Sequence, residues 1–200
     1  MNNILVLILA AVLAGCAELQ LFTPPQQSDT RAWEVHRAAL AGLERWSVTG
    51  RLAIQSGQEG WNATLHWDQD NEKYTMRLIA PLGQGTYQLY GDDHVVSLLT
   101  AENKVYQADN PEILLQQNLG WSVPIGGLKY WIKGMPEPGV DMENLVVDKD
   151  GRMTDLQQSG WRISILRYSD FDGRQLPSKL FMQNDRFKLR LVVQDWKTKT

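Results

Sequence analysis

The most constraining feature of this sequence is an alternation of apolar and polar residues that begins near Trp46. Residues of mostly apolar character occupy every second position in the runs 48–54, 61–67 and 187–193. Successive side chains of a strand point to opposite faces, so this period of two predicts strands with one buried face. Polar turns, such as the one at 56–60, separate the runs. A series of short strands joined in this way predicts an antiparallel sheet that curls.

Three segments have helical patterns instead. The first helix is expected to start at a cap on Ser28 or Asp29, the second to lie between Asn110 and Gly120, and the third within 121–134. The whole pattern predicts about ten strands and three helices, with the helices covering the apolar face of the sheet. The last five strands are expected at 145–147, 153–157, 161–168, 178–183 and 186–193.

An unusual turn joins the predicted strands 73–79 and 86–90. Pro81 and Gly83 favour a turn, because proline lacks an N–H and glycine accepts backbone angles that other residues resist. Leu82 between them is a large apolar residue where turns normally carry polar ones. Two interpretations are open: Leu82 folds back onto the core, or it protrudes and contacts an apolar partner.

The beginning of the chain has the features of an export signal. Residues 4–13 are an unbroken apolar run, too short to form a stable bilayer-spanning helix. The run leads into Leu-Ala-Gly before Cys16, which resembles the bacterial lipobox and implies cleavage after residue 15 and lipidation of Cys16. Cys16 is the only cysteine in the sequence, so an internal disulfide is excluded. Ala17 in place of aspartate implies, by the same resemblance, sorting to the outer membrane.

The expected domain organisation follows from these signals. Residues 1–15 are predicted to be a lipoprotein signal peptide, 16–28 the lipidated N-terminus and linker, and 29–200 a single globular domain. The eight tryptophans are spread over the chain and are expected to form a large core or to line an apolar cavity. The net charge of −3 argues against a nucleic-acid partner, and we expect a monomer.

The order of several motifs resembles the LolB family of outer-membrane lipoproteins, from about Trp33 to Trp196. The most specific parts are the loop around Leu82 and the segment 123–136, which reads Val-Pro-Ile-Gly-Gly-Leu-Lys-Tyr-Trp-Ile-Lys-Gly-Met-Pro. This resemblance implies a mainly β fold with α-helices. It implies a curved antiparallel sheet that forms an unclosed β-barrel of about eleven strands, covered by three helices, in a single domain.

The resemblance also implies a function without catalysis or cofactor. In this family an apolar cavity holds the acyl chains of a lipoprotein that a periplasmic carrier, LolA, delivers, and the carrier is similar in fold. A protruding leucine, which matches Leu82 here, is needed to insert that cargo into the membrane. The implied partners are therefore the carrier, cargo lipoproteins and outer-membrane lipid. The candidate cavity residues are Leu52, Ile54, Leu65, Trp67, Leu128, Trp131, Phe187, Leu189 and Leu191.

Two other functions stay open at this point. A structural lipoprotein would scaffold an outer-membrane assembly through its sheet edges and would need no cavity. A periplasmic hydrolase would need polar residues that converge inside the fold. The sequence has no Gly-x-Ser-x-Gly motif, and His36, His66 and His94 lack metal-ligand spacing. The adjacent Asp92 and Asp93 suit a solvated turn better than a catalytic pair.

Overall fold

The computed structural model of the chain describes residues 27–92 and 94–198. The predicted signal peptide, Cys16 and most of the linker 16–28 lie outside the described residues, as does Asp93. Within the described part, none of the helices is long and apolar enough to span a bilayer.

Three helices are present in the described residues. They are α1 (Gln27–Ala41), α2 (Pro111–Leu119) and α3 (Ile125–Trp131). The predicted cap at Ser28 or Asp29 is wrong, because α1 already includes both residues.

The second helix has the boundaries that its sequence predicts. Asn110 caps α2, and its side-chain oxygen accepts hydrogen bonds from the backbone N–H groups of Glu112 (2.7 Å) and Ile113 (3.3 Å). Gly120 ends the helix in the left-handed conformation, with φ of 77°. Most residues resist that conformation, so glycine at this position stops α2 at a defined point.

Eleven strands form one antiparallel sheet. They are β1 (Arg45–Ser56), β2 (Glu59–Asp70), β3 (Lys73–Ile79), β4 (Thr86–Gly91), β5 (Val96–Leu99), β6 (Val105–Ala108), β7 (Met142–Val147), β8 (Met153–Gln158), β9 (Trp161–Phe171), β10 (Arg174–Gln183) and β11 (Phe187–Thr198). Their order is β6-β5-β4-β3-β2-β1-β11-β10-β9-β8-β7, so the first and last strands pair at the centre. Of the described strands, β6 and β7 form the two edges, and the barrel is unclosed. The expected fold class is confirmed.

Some strands differ from their predicted bounds for local reasons. The sequence predicts the fifth strand at 94–100, but β5 starts at Val96, because Asp92 Oδ1 accepts hydrogen bonds from the backbone N–H groups of His94 and Val95 and holds them in a turn. β10 starts earlier, at Arg174, and passes through Pro177, where the pairing register with β9 shifts. Proline has no N–H to donate to the neighbouring strand, and a register shift accommodates this missing hydrogen bond. β11 continues to Thr198, beyond its predicted end.

The core lies on the sheet face that the alternation predicts to be buried. The even-numbered positions of 48–54 and the odd-numbered positions of 187–193 are buried, while their neighbours are more exposed. Three fully or almost fully buried tryptophans pack together, with the ring of Trp46 4.9 Å from that of Trp67 and 5.2 Å from that of Trp196. These contacts form one end of the core.

Candidate functional site

A small apolar cavity lies between the sheet and residues 111–135, the segment that contains α2 and α3 and that we call the lid. The cavity has a volume of about 20 Å³. The sheet contributes Leu52, Leu65, Met76, Leu78, Leu89, Leu189 and Leu191 to its wall, and the lid contributes Leu115, Trp121, Val123, Ile125 and Leu128. A cavity of this size holds about one water-sized molecule. The lid is therefore closed down on the apolar face of the sheet.

The structure brings together some of the predicted cavity residues and separates others. Those in the cavity wall are Leu52, Leu65, Leu128, Leu189 and Leu191. Ile54 and Phe187 are buried near the turns at one end of the sheet, and Trp67 packs against Trp46 elsewhere in the core. Trp131 is fully buried and forms a hydrogen bond outside the cavity wall.

Sequence reasoning missed more than half of the cavity wall. The missed residues are Met76, Leu78, Leu89, Leu115, Trp121, Val123 and Ile125. A signal for the β3 residues was available, because Met76 and Leu78 alternate with polar residues in the run 73–79. Alternation identifies a buried face, but it does not say which residues of that face lie beneath the lid.

The carboxyl end of the lid is held differently from its middle. The carboxyl end of α3 is tied to the sheet by a hydrogen bond from Trp131 Nε1 to Gln158 Oε1 (2.9 Å). Gly127 makes room for that indole, since a Cβ atom there would lie 2.7 Å from the Trp131 ring. Gly120, which follows α2, and Gly134, next to the carboxyl end of the lid, have φ angles of 77° and 78°. Between them, the residues that face the cavity contact it through apolar side chains alone.

The turn after β3 presents Leu82 to solvent. Residues Pro81–Gly83 form a single 3-10 turn, in which Leu82 has φ of 54° and ψ of 31° and is 97% exposed. The base of the turn is closed by backbone hydrogen bonds from Ala80 N to Gly85 O (3.0 Å) and from Gln84 N to Pro81 O (3.2 Å). The turn is closed without Leu82, whose side chain lies outside the core.

A larger open groove, of about 1060 Å³, lies at the opposite end of β3 from Leu82. Seven residues of strand separate the two ends by about 20 Å. The groove is bordered by the second half of α1, the turn at 70–73 and the residues around the end of α3, and both acidic and basic side chains line it. This mixed charge suits polar ligands rather than acyl chains.

Lys133 forms part of this groove although it is only 5% exposed. Its Nζ donates a hydrogen bond to the backbone oxygen of Leu43 (3.1 Å) and lies 5.1 Å from the centre of the Tyr130 ring. The pKa of Lys133 is lowered to about 8, chiefly by burial and also by nearby Lys129, while Glu44 opposes the shift. The lysine therefore joins the end of the lid to the segment between α1 and β1.

The residues that could have supported catalysis do not converge. His36 lies 6.2 Å from the Tyr168 ring, and its pKa is lowered first by burial and then by Arg152, against an opposing effect of Asp148. His66 contacts Thr49 Oγ1 (3.3 Å) on another part of the sheet. His94 is exposed in the turn before β5. The described residues contain no group of three or more His, Cys, Asp or Glu side chains that could hold a metal ion.

Comparison with known sequences identifies a family. The family model described as "Outer membrane lipoprotein LolB" matches residues 44–196. A relative of that name from Nitrosococcus oceani is 37% identical over 195 residues, which cover 96% of this chain and 95% of the relative. The protein of the same name from Stutzerimonas stutzeri is 35% identical over 201 residues, covering 98% and 95% of the two chains.

Solved structures share the fold at much lower identity. A LolA superfamily protein from Nitrosomonas europaea aligns with a TM-score of 0.57 and 10% identity, over 86% of this chain and 94% of that one. A DUF1329 family protein from Desulfovibrio piger aligns with a TM-score of 0.52 and 8% identity, over 89% and 95% of the two chains. These likenesses concern the curved sheet and its helical cover.

Proposed function

This chain belongs to the LolB family of outer-membrane lipoproteins, and we propose that it is a receptor that passes lipoproteins into the outer membrane. In this proposal the protein is anchored in the membrane by lipid on Cys16 and takes its cargo from a LolA-like periplasmic carrier. It holds the acyl chains of the cargo between sheet and lid, and then inserts them into the inner leaflet. The proposal includes no catalytic step.

The observation that carries the proposal is the wholly apolar wall of the central cavity. Each methylene group that leaves water for an apolar environment gains about 0.8 kcal/mol, so an acyl chain does not cross the periplasm freely. An apolar interior shields the chain from water between the two membranes. Transfer from carrier to receptor then needs only that the receptor binds the acyl chain more tightly than the carrier does. Each tenfold difference in affinity supplies about 1.4 kcal/mol, so no nucleotide hydrolysis is needed.

The cavity volume of about 20 Å³ requires the lid to move before an acyl chain enters. The part of the lid around Trp121 and Leu128 contacts the sheet through apolar side chains, which an acyl chain can replace without leaving polar groups unsatisfied. The carboxyl end of α3 is fixed by Trp131 and Lys133. We therefore propose that residues 121–128 swing away from the sheet while the end of α3 stays in place.

Leu82 is suited to contact the membrane during delivery. Its side chain is 97% exposed, and transferring a leucine side chain from water to an apolar environment gains about 1.5–3 kcal/mol. Its left-handed backbone conformation costs about 1 kcal/mol or more for a residue other than glycine. No packing contact of the Leu82 side chain accounts for this combination, whereas a role at the lipid surface does.

Binding of an acyl probe tests the proposal directly. The full chain carrying Cys16→Ala, exported with a conventional signal peptide, is purified without detergent and titrated with a fluorescent fatty acid. We expect saturable binding that Leu128→Trp weakens severalfold by filling the cavity wall, whereas Leu166→Trp, on the exposed side of β9, leaves it unchanged. A flat titration with the folded protein would contradict the proposal and favour a scaffold that acts through its sheet edges.

A further inference from the structure

One residue that lines the central cavity, Trp121, has a polar atom without a partner. Trp121 is 5% exposed, and its Nε1 is buried without a hydrogen bond to any residue in 27–92 or 94–198. Buried indole N–H groups usually have an acceptor, because leaving one unpaired costs about 1–3 kcal/mol. All the other side chains in the cavity wall are apolar and supply no acceptor. A ligand in the cavity would have to supply the missing acceptor.

The position of Trp121 indicates which part of a ligand it would meet. Its ring lies 5.6 Å from that of Trp61, which in turn lies 6.4 Å from the ring of Tyr87. Trp61 and Tyr87 are only half-buried, so this aromatic group leads from the cavity wall to the surface, and we call its surface end the mouth.

The mouth lies at the same end of the sheet as the Leu82 turn. Tyr87 belongs to β4 just after that turn and pairs with Leu78, and Trp61 pairs with Ile54 close to the β1–β2 turn. The polar head of a bound acyl compound would stay at the mouth while its hydrocarbon enters the cavity, because burial favours the apolar part alone.

We propose that the indole N–H of Trp121 donates a hydrogen bond to the ester or amide carbonyl of an acyl chain bound under the lid. This inference rests on the function proposed above and adds a residue that recognises acyl compounds rather than hydrocarbon in general. The carbonyl is the first acceptor that every acyl chain carries next to its methylenes. Hydrogen bonding there fixes how deeply the chain is inserted.

A second unpartnered indole does not offer the same site. Trp46 Nε1 is also buried without a hydrogen bond within the described residues. Its ring, however, packs against Trp67 and Trp196 in the core and is not part of the cavity wall. Of these two indoles, only that of Trp121 belongs to a residue that lines the cavity.

The test compares two ligands that differ in the carbonyl. The full chain with Cys16→Ala, labelled with ¹⁵N at the tryptophan indoles, is titrated with methyl decanoate and with undecane. We expect both to bind, and only the ester to shift the Trp121 Nε1–H resonance downfield, as a new hydrogen bond does. Trp121→Phe assigns that resonance and should lower the affinity for the ester about three- to tenfold, with little effect on undecane.

Trp61→Phe is the matched control, because it removes a neighbouring indole and should affect the two ligands alike. Equal losses for ester and alkane in Trp121→Phe, or equal resonance shifts in the wild type, would overturn this inference while leaving the proposed function standing. Failure of both ligands to bind the folded wild type would remove the proposed function and this inference with it.

A further titration separates two sources of the acyl chain. A synthetic diacylglyceryl-cysteine peptide represents lipoprotein cargo, and a short-chain phosphatidylcholine represents membrane lipid. A downfield shift with the peptide supports a site for cargo. A shift with the phospholipid alone would overturn the assignment to cargo.

Discussion

The indole Nε1 of Trp131 donates a hydrogen bond of 2.9 Å to Oε1 of Gln158, and so joins the end of α3 to strand β8. The same oxygen accepts a hydrogen bond from the backbone N–H of Glu137 (2.9 Å). Nε2 of Gln158 donates to the backbone oxygens of Glu137 and Val140, each at 3.0 Å. Gln158 is 1% exposed, so one buried amide fixes both the end of the lid and the segment that follows it.

Gln158→Leu should therefore destabilise the protein strongly. The substitution removes four hydrogen bonds and leaves the fully buried Trp131 indole without its acceptor, at about 1–3 kcal/mol. The backbone groups of Glu137 and Val140 also lose a partner, but these two residues are partly exposed, so water replaces much of that loss. We expect the free energy of unfolding in urea to fall by about 2–4 kcal/mol in total. Gln157→Leu is the control, because the neighbouring amide only bonds Glu143 at the surface and should cost less than about 1 kcal/mol. Equal losses in the two variants would contradict this role of Gln158.

Leu82→Glu should impair delivery without affecting folding. Because Leu82 is 97% exposed, we expect the free energy of unfolding to change by less than about 0.5 kcal/mol. Cargo acceptance from the carrier should be intact, whereas transfer from the receptor to liposomes should slow, because a carboxylate enters the lipid boundary at a cost. Val35→Glu, on the exposed side of α1, should leave both transfer steps unchanged. Delivery of cargo by the Leu82→Glu variant at the wild-type rate would contradict the proposed role of Leu82.

Leu82→Asn separates the backbone of this turn from its side chain. Asparagine tolerates the left-handed conformation better than leucine, so the variant should be as stable as the wild type or more stable by up to about 1 kcal/mol. It should still lose delivery to liposomes, since the apolar tip is gone while no charge is introduced. Thermal unfolding and the same transfer assay measure the two effects. A less stable variant would show that the Leu82 side chain contributes to the fold.

The buried face of the sheet could be predicted from the sequence because its cause is local. Alternation places Leu52 and Leu191 on the buried face of their strands, and the two residues are directly paired across β1 and β11. The turn at Leu82 was also expected from its proline and glycine. Two positions for the leucine side chain remained open there, because exposure depends on what packs above the turn, and the structure places it in solvent.

The wall of the cavity could not be predicted in the same way. Trp131 faces the sheet as its helical spacing suggests, but its indole bonds Gln158 on β8, 27 residues later in the chain, and does not line the cavity. Trp67 shares a face with Leu65, but its contacts are with the tryptophan rings at one end of the core. Both outcomes depend on tertiary contacts that a periodic pattern does not contain.

Cys16→Ala tests the anchor, which lies outside the described residues. The prediction rests on the sequence Leu-Ala-Gly before Cys16. We expect the variant to incorporate no labelled fatty acid and, when exported with a conventional signal peptide, to appear in the soluble fraction with the wild-type melting temperature. A serine substitution at the same position serves as a control of similar size to cysteine. Undiminished labelling of the alanine variant would exclude Cys16 as the lipidated residue.

Lys133 should make stability rise with pH in a defined window. Burial lowers its pKa in the folded protein to about 8, from an ordinary value of 10.5. Between these values the unfolded chain binds more protons than the folded one, so stability increases with pH by up to about 1.4 kcal/mol per pH unit. Below about pH 8 both states are protonated and this contribution is constant. Above about pH 10 Tyr168 acts in the opposite direction, because burial raises its pKa in the folded state.

Urea unfolding between about pH 7 and pH 10 measures this effect, and Lys133→Met isolates it. Methionine fills a similar volume without a charge, so the wild type should gain on the order of 2–3 kcal/mol relative to this variant across the window. Lys188→Met is the control, since Lys188 lies on the exposed face of β11 and should leave the pH dependence of the wild type nearly unchanged. If Lys133→Met retains the full pH dependence, the ammonium group is not desolvated as its position against Leu43 and Tyr130 requires.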